Sequence, residues 1–518
     1  MEEKKESRKT RDFQKIKRKK QRRASIQKLY KLLIICIFTL ILLIGVLVAA
    51  AINSKPSSST GNSSPGSQSE NSTPPSEAPS GSDSEAPSVS ESESESESDS
   101  STEDALSPQK AALIADADYL ALTYDYDKAI ALIKTWEGYD QDTVLSAKLS
   151  EYEAQKASCV RVDISKVTHI FYHSLVVDPI RAFNPKNPQA KGNNEWMTTV
   201  SEFNKITQEM YDRGYVLVSI HDLYRYETDA NGNKVMVEGD IYLPPDKKAF
   251  VLSLDDLCYY HSYDNQGYAS KLVLDENGDV INEYYDAEGN LHYGLYDCVP
   301  LLDKFVREHP DASYRGAKGT VALTGYNGIL GYRTDESYTL DNVNNPNINY
   351  DKRQWLKKHP DFKLEAERAA AKEVADVMKA NGWNFASHTW GHLSVGEKSL
   401  STLKRDNERW QKNVASIVGE TNVIIFAHGT DLGDWGNYSS TNEKFNYFHS
   451  QGFDIFCNVD SSSPYLTHFG KTYLRQGRRN LDGFRFHYNL IGQQNNLSDL
   501  FDIADIVDPD RPSLDSYN

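Results

Sequence analysis

Four predicted helices in this chain stop just before a glycine, and each glycine leads into a short apolar run: Gly214, Gly382, Gly419 and Gly452. Glycine accepts the left-handed conformation that ends a helix, so the pattern is one helix-to-strand joint used four times. The spacing predicts helices over 199–213, 296–309, 363–381, 400–418 and 441–451. It predicts strands over 167–173, 215–220, 249–254, 320–324, 384–387, 422–427 and 454–458. Strand and helix alternating from about 160 to 505 define a parallel α/β fold, most simply a barrel. Two excursions break the alternation. One is the turn at Thr228-Asp-Ala-Asn-Gly-Asn-Lys; the other is residues 257–295, with turns at Asp275-Glu-Asn-Gly and Asp286-Ala-Glu-Gly-Asn. These turns lack the twelve-residue ligand pattern of a calcium loop and read as β-hairpins. The long insertion and its edge are rich in tyrosine, a flat apolar face with a polar tip, suited either to packing a flap or to stacking on sugar rings.

The chain before the barrel changes character three times. Residues 1–31 hold fourteen Lys and Arg against four acids, whereas the whole chain carries −17. Residues 32–52 are apolar and uncharged, about the length of a membrane-spanning helix. Basic residues on its N-terminal side put that end in the cytoplasm and the rest outside. The expectation is a single-pass anchor, although Ala49-Ala50-Ala51 leaves cleavage open. The span also makes nucleic acid a poor partner for the basic arm. Residues 53–106, mostly Ser, Pro, Gly and Glu, cannot bury enough apolar surface to order and read as a disordered spacer. Residues 107–157 show helical spacing at Leu113, Ala117 and Leu120 and again at Ala129, Leu132 and Ile133, a small helical unit. Residues 506–518 form a C-terminal tail. Cys258 with Cys298 is the one cysteine pair to test for a disulfide, since both border the insertion.

Chemistry gathers at predicted strand ends, where parallel α/β folds build their sites. Ala249-Phe-Val-Leu-Ser-Leu runs into Asp255-Asp256, and two acids there are costly unless a cation or reacting group meets them. His388 and His392 lie four residues apart, so both imidazoles can point the same way. Two His and one carboxylate make a common ligand set for zinc or another first-row divalent metal, which leaves one Asp for proton transfer. His173-Ser174, His221-Asp222, Tyr326-Asn327, the group His428, Asp431 and Asp434, and the pair Asn458 and Asp460 end or follow the other strands.

Residues from about 165 to 460 resemble the polysaccharide deacetylase (NodB homology) family of carbohydrate esterases. Ile170-Phe-Tyr-His-Ser is similar to that family's first strand. Ser253-Leu-Asp-Asp-Leu stands where the family has Thr-Phe-Asp-Asp-Gly, and Ala386-Ser-His-Thr-Trp-Gly-His matches its His-Thr-x-x-His motif. The resemblance implies a (β/α)7 barrel and metal-dependent removal of acetyl from an N- or O-acetylated polysaccharide. Asp256, His388 and His392 would bind the metal, zinc first, with cobalt, nickel or manganese as alternatives. Asp255 would be the general base. Leu257 replaces the family's glycine, the Arg and Pro expected after the sixth strand are missing, and no His stands inside the family's last motif. His428 is the candidate acid by position, with His468 and His487 behind it, and Arg478 or Arg479 could supply the guanidinium. The reading is a membrane-anchored extracellular deacetylase; the alternative is a carbohydrate-binding barrel that keeps the metal without turnover.

Overall fold

The computed structural model describes residues 107–433 and 436–517. The basic arm, the apolar span, the spacer and Asp434 lie outside them. Among the described residues no helix is long and apolar enough to cross a membrane.

Three helices open the described chain: α1 (Pro108–Leu122), α2 (Tyr126–Ile133) and α3 (Thr143–Ser158). Ser107 caps α1, and Asp142 caps α3 through the amides of Val144 and Leu145. The helices bury Ala117, Ala129, Ile133, Leu145 and Tyr152 in one core with residues at the bottom of the barrel. Tyr124 Oη donates to the Asp311 carbonyl (2.8 Å), pinning the unit there.

The barrel wall uses β1 (Thr168–Tyr172), β3 (Lys248–Asp255), β4 (Thr320–Leu323), β5 (Asn384–Ser387), β6 (Val423–Ile425), β7 (Ile455–Val459) and β8 (Leu474–Asn480). These seven strands are parallel and close on themselves, β8 pairing with β1 and β1 with β3. The outer helices include α4 (Val200–Asp212), α5 (Cys298–Glu308), α6 (Leu364–Ala380), α7 (Leu400–Trp410), α8 (Glu443–Ser450) and α9 (Gly483–Leu490). The first five match the predicted helices to within a few residues, α7 continuing through a π turn (Gln411–Ala415) to Val418. The molecule is a (β/α)7 barrel, as expected, but one wall strand differs.

The predicted strand at 215–220 is β2 (Tyr215–Leu217), and of the wall strands it pairs with the first half of β3, with a single further bridge from Leu217 to Ser313. The second half of β3 pairs with β4, through Thr320 and Ser253. The chain after β2 turns under the barrel, where Val218 and Ile220 join the core at its base. There Ser219 Oγ accepts from Asn384 (3.2 Å) and His221 Nε2 meets Asn422 Oδ1 (3.1 Å), both partners standing before or at the start of wall strands. His221 and Asp222 are thus at the bottom, away from the carboxyl-end rim. The seventh wall strand is instead β8, whose seven residues, Leu-Arg-Gln-Gly-Arg-Arg-Asn, are all buried. Its polarity hid it. Each of its guanidinium groups has a carboxylate partner: Arg475 with Asp431, Arg478 with Asp255 and Arg479 with Asp499. Paired and hydrogen-bonded charges are tolerated where lone ones are not.

The excursions are hairpins. Asp229, Asp275 and Asp286 each accept the backbone amides two and four residues on, at 2.8–3.0 Å, so these carboxylates are engaged by their own turns. No disulfide joins Cys258 and Cys298: both are free and buried, Cys258 against Thr324 and Cys298 near the His173 carbonyl. The C-terminal tail is fastened to the wall, with Arg511 donating to both oxygens of the buried Glu202 carboxylate (2.7 and 2.6 Å).

Candidate metal and catalytic centre

Side chains facing the barrel interior come in layers that turn from apolar to polar towards the carboxyl end. Val251, Ala322, Ala386, Val423, Ile425 and Ile455 belong to the lower core. Above them His169 lies between Ser253 Oγ and Gln476 Oε1, 3.0 Å from each. Burial holds that imidazole down at about 3, so it is neutral. In the next layer Arg478 forks onto Asp255, with Nη1 to Oδ1 at 2.7 Å and Nη2 to Oδ2 at 3.0 Å. Its guanidinium also lies 4.1 Å from the Phe171 ring centroid. Burial, the largest single influence, pushes the Asp255 carboxyl up, but the pulls of Arg478, His388 and His173 together outweigh it and hold the group down at about 2.

Adjacent residues on a strand face opposite ways, so Asp255 and Asp256 reach one site only if the backbone turns between them. It does: Asp256 takes φ +59°, a left-handed conformation a non-glycine residue rarely adopts. Its amide bonds the Ala322 carbonyl (3.1 Å) and its Oδ1 accepts from Tyr260 Oη (2.6 Å). Tyr260 Oη also meets Thr324 Oγ1 at 2.5 Å. Leu257, in the family's glycine position, is accommodated because the sharp turn falls one residue earlier.

His388 follows β5 directly. Its Nδ1 lies 2.8 Å from the Ile425 carbonyl, to which only an Nδ1–H can donate, and its Nε2 is aimed at the acids. The loop to His392 is tight and not helical, with Thr389 and His392 both at positive φ. Asp406 holds it through the amides of Trp390 (2.7 Å) and Gly391 (2.9 Å), and Asp335 accepts from the Trp390 indole (3.0 Å). His392 Nε2 ends 3.4 Å from Asp256 Oδ2, and His388 Nε2 4.0 Å from Asp256 Oδ1. One ligand atom from each of Asp256, His388 and His392 lies within 4.8 Å of the others. A tetrahedral ion with bonds of about 2.0–2.2 Å spaces its ligand atoms about 3.4 Å apart, so the set needs only a slight contraction. Burial holds His392 down at about 4 despite the pull of Asp256; the ring is therefore neutral, the form that ligates.

The other expected groups are dispersed. His428, the candidate acid, is exposed at positive φ after β6; its ring packs edge-on to His392 (4.2 Å between centroids) and its Nε2 lies 3.3 Å from the His392 carbonyl oxygen. Asp431 is tied to Arg475 and Tyr438. His468 sits on a strand antiparallel to β8, paired with Arg475 near the β8 start. His487 is on α9 against Tyr488. Of the two candidate arginines, Arg478 meets Asp255 and Arg479 turns outward to Asp499. Tyr260 had no signal of its own in the tyrosine-rich insertion. A cleft of about 880 Å³ opens beside it, lined by Tyr260, Tyr263, Tyr285, Trp355 and Phe362 among others.

No family model matches the chain, and no curated protein does. Among solved structures it is similar to a Streptococcus pyogenes deacetylase, PplD, in complex with acetate, at 16% identity. That match covers 62% of this chain and 92% of the other, with a TM-score of 0.30. At such low similarity neither fold nor activity is transferred from it, and the chemistry of the centre is that of its own residues.

Proposed function

We propose that the barrel is a metal-dependent deacetylase that hydrolyses N- or O-acetyl groups on a polysaccharide. The observation that carries the reading is an ionised carboxylate, Asp255, locked by Arg478 beside the Asp256, His388 and His392 set. A divalent ion held there, zinc before cobalt, nickel or manganese, supplies Lewis acidity to the acetyl carbonyl and acidifies water. Asp256, His388 and His392 would hold it, and Tyr260 and the Ile425 carbonyl orient two of them. Asp255 accepts the proton of the attacking water; Arg478 fixes both its oxygens, so its direction is set before substrate arrives. The tyrosine-lined cleft suits sugar rings, which stack on aromatic faces. The binding-only alternative rests on a missing general acid and a missing orienting arginine, and the guanidinium on Asp255 removes the second ground.

Placement rests on residues 1–52: a basic arm and an apolar span fit a single-pass anchor with the barrel outside the cell. Protease added to intact cells should then release a soluble barrel by cutting within 53–106. Acetate release from acetylated chitooligosaccharides, peptidoglycan fragments and acetylxylan tests the activity. Chelation should abolish it and zinc restore it. His388→Ala and His392→Ala should each lower bound metal per chain. Full occupancy in both variants, or a metal-loaded wild type that releases no acetate from any of these, overturns the reading.

A further inference from the structure

The chain carries no histidine where the resemblance places the general acid, and position alone singles out His428. The ladder geometry points elsewhere. We propose that His173 is the general acid of this site, an assignment that rests on reading the site as a deacetylase.

β1 and β3 run parallel with Phe171 opposite Ser253 and Tyr172 opposite Leu254, so the next pair along is His173 and Asp255. On the other side of β1, Asn480 is opposite Phe171, which brings Asp482 level with His173. Side chains alternate along β1. His169 faces inward on Ser253 and Gln476, and Phe171 faces inward under the Arg478 guanidinium. His173 continues that series, its ring edge-on to Phe171 at 5.8 Å between centroids. It therefore stands level with Asp255, just past the carboxyl end of β1. The charged groups that act on it are Asp255 from β3 and Asp482 from the turn after β8, while Arg478 and His388 act on Asp255.

The other imidazoles of the centre are engaged. His169 uses both nitrogens, His388 gives Nδ1 to a carbonyl, His392 faces Asp256, and His428 turns Nε2 to a backbone oxygen. His173 is only half-buried, and among the described residues its ring makes no hydrogen bond. It is a free imidazole beside the base, open to a ligand from the mouth. In the reaction Asp255 takes a proton from water as the oxygen bonds the acetyl carbon. When the carbon–nitrogen or carbon–oxygen bond then breaks, its electron pair stays on the sugar atom. Protonated His173 gives that atom its proton, leaving acetic acid, which ionises to acetate in solvent, and the free amine or hydroxyl. Solvent returns the proton to His173 and takes the one held by Asp255.

The test uses the full-length chain with His173→Ala, His173→Gln and His428→Ala. On an acetylated chitooligosaccharide, kcat of both His173 variants should fall about 10²–10⁴-fold, with KM and bound metal unchanged. On 4-nitrophenyl acetate, whose leaving group departs without a proton, they should lose no more than a few-fold. His428→Ala, which removes the ring packed on His392, should lose equally on both substrates. In the wild type the alkaline fall in kcat should appear with the glycan and be absent with the activated ester, a comparison that needs no variant to fold. The assignment is overturned by near-normal glycan turnover in the His173 variants, by their equal losses on both substrates, or by the same alkaline fall with both. A wild type inactive on every acetylated glycan overturns the deacetylase reading with it; an active wild type with active His173 variants overturns the acid alone.

Discussion

Arg478→Met removes one partner from a buried, doubly bonded ion pair. Two contributions set the size of the effect. In the wild type Asp255 is held at about 2 against an ordinary 3.8, a difference that stabilises the folded chain by about 2 kcal/mol. Because the folded value is the lower one, this contribution is present above pH 3.8 and is lost as pH falls through about 2. In the variant burial, the largest single influence, is opposed only by the smaller pulls of His388 and His173, so the folded value rises above 3.8. The sign then reverses, and stability falls as pH rises from about 4. Protonation limits that penalty at pH 7 to about 1.4 kcal/mol for each pH unit between 3.8 and 7, roughly 4 kcal/mol in all. Breaking a buried pair costs about 3–5 kcal/mol, inside the sum of the two. Urea unfolding of the chelated chain, followed by tryptophan fluorescence from pH 7 to pH 4, reads this directly. The variant should trail the wild type by about 3–5 kcal/mol at pH 7 and by about 2 kcal/mol at pH 4. The double variant Asp255→Asn/Arg478→Met should recover most of the loss at pH 7. A gap that does not change between pH 7 and pH 4, or a double variant no better than Arg478→Met, refutes the argument.

Three further outcomes are expected. Tyr260→Phe removes the donor to Asp256 Oδ1 and should weaken zinc binding about 10–100-fold in a competition titration, with the far-UV spectrum unchanged. His169 is neutral when folded because burial holds it at about 3; the unfolded chain binds more protons between about 6.5 and 3, so stability drops as pH falls through that window, and His169→Gln should flatten that limb of the urea-midpoint profile. Arg511→Ala leaves Glu202 buried without its partner and should cost about 3–5 kcal/mol in the same unfolding assay, with bound metal unaltered because the pair lies outside the centre.

Helices and most strands were legible because they follow local rules. The glycines at 214, 382, 419 and 452 all take positive φ, as the joint requires, and the helices before them end where expected. The centre was half legible. His388 and His392 share one loop and Asp255 and Asp256 one strand end, so spacing alone brings each pair together. Neither β2 nor β8 could be placed this way. The apolar run at 215–220 fits a wall strand as well as the floor it becomes, since both are buried; only its pairing with half of β3 decides. β8 is the opposite case. A window over Leu474–Asn480 reads as surface, yet every residue is buried, because Asp431, Asp255 and Asp499 neutralise its three arginines. The partner of Arg478 lies 223 residues away, so no local pattern predicts that the guanidinium goes inside. The same strand sets the position of His173, since β1 meets β8 on one side and β3 on the other, and only that closure puts its imidazole between Asp255 and Asp482. The strand that hydrophobic periodicity hides is thus the one that orients Asp255 and places His173, the proposed base and acid, because a buried charge is tolerated in a barrel only where its partner is buried with it.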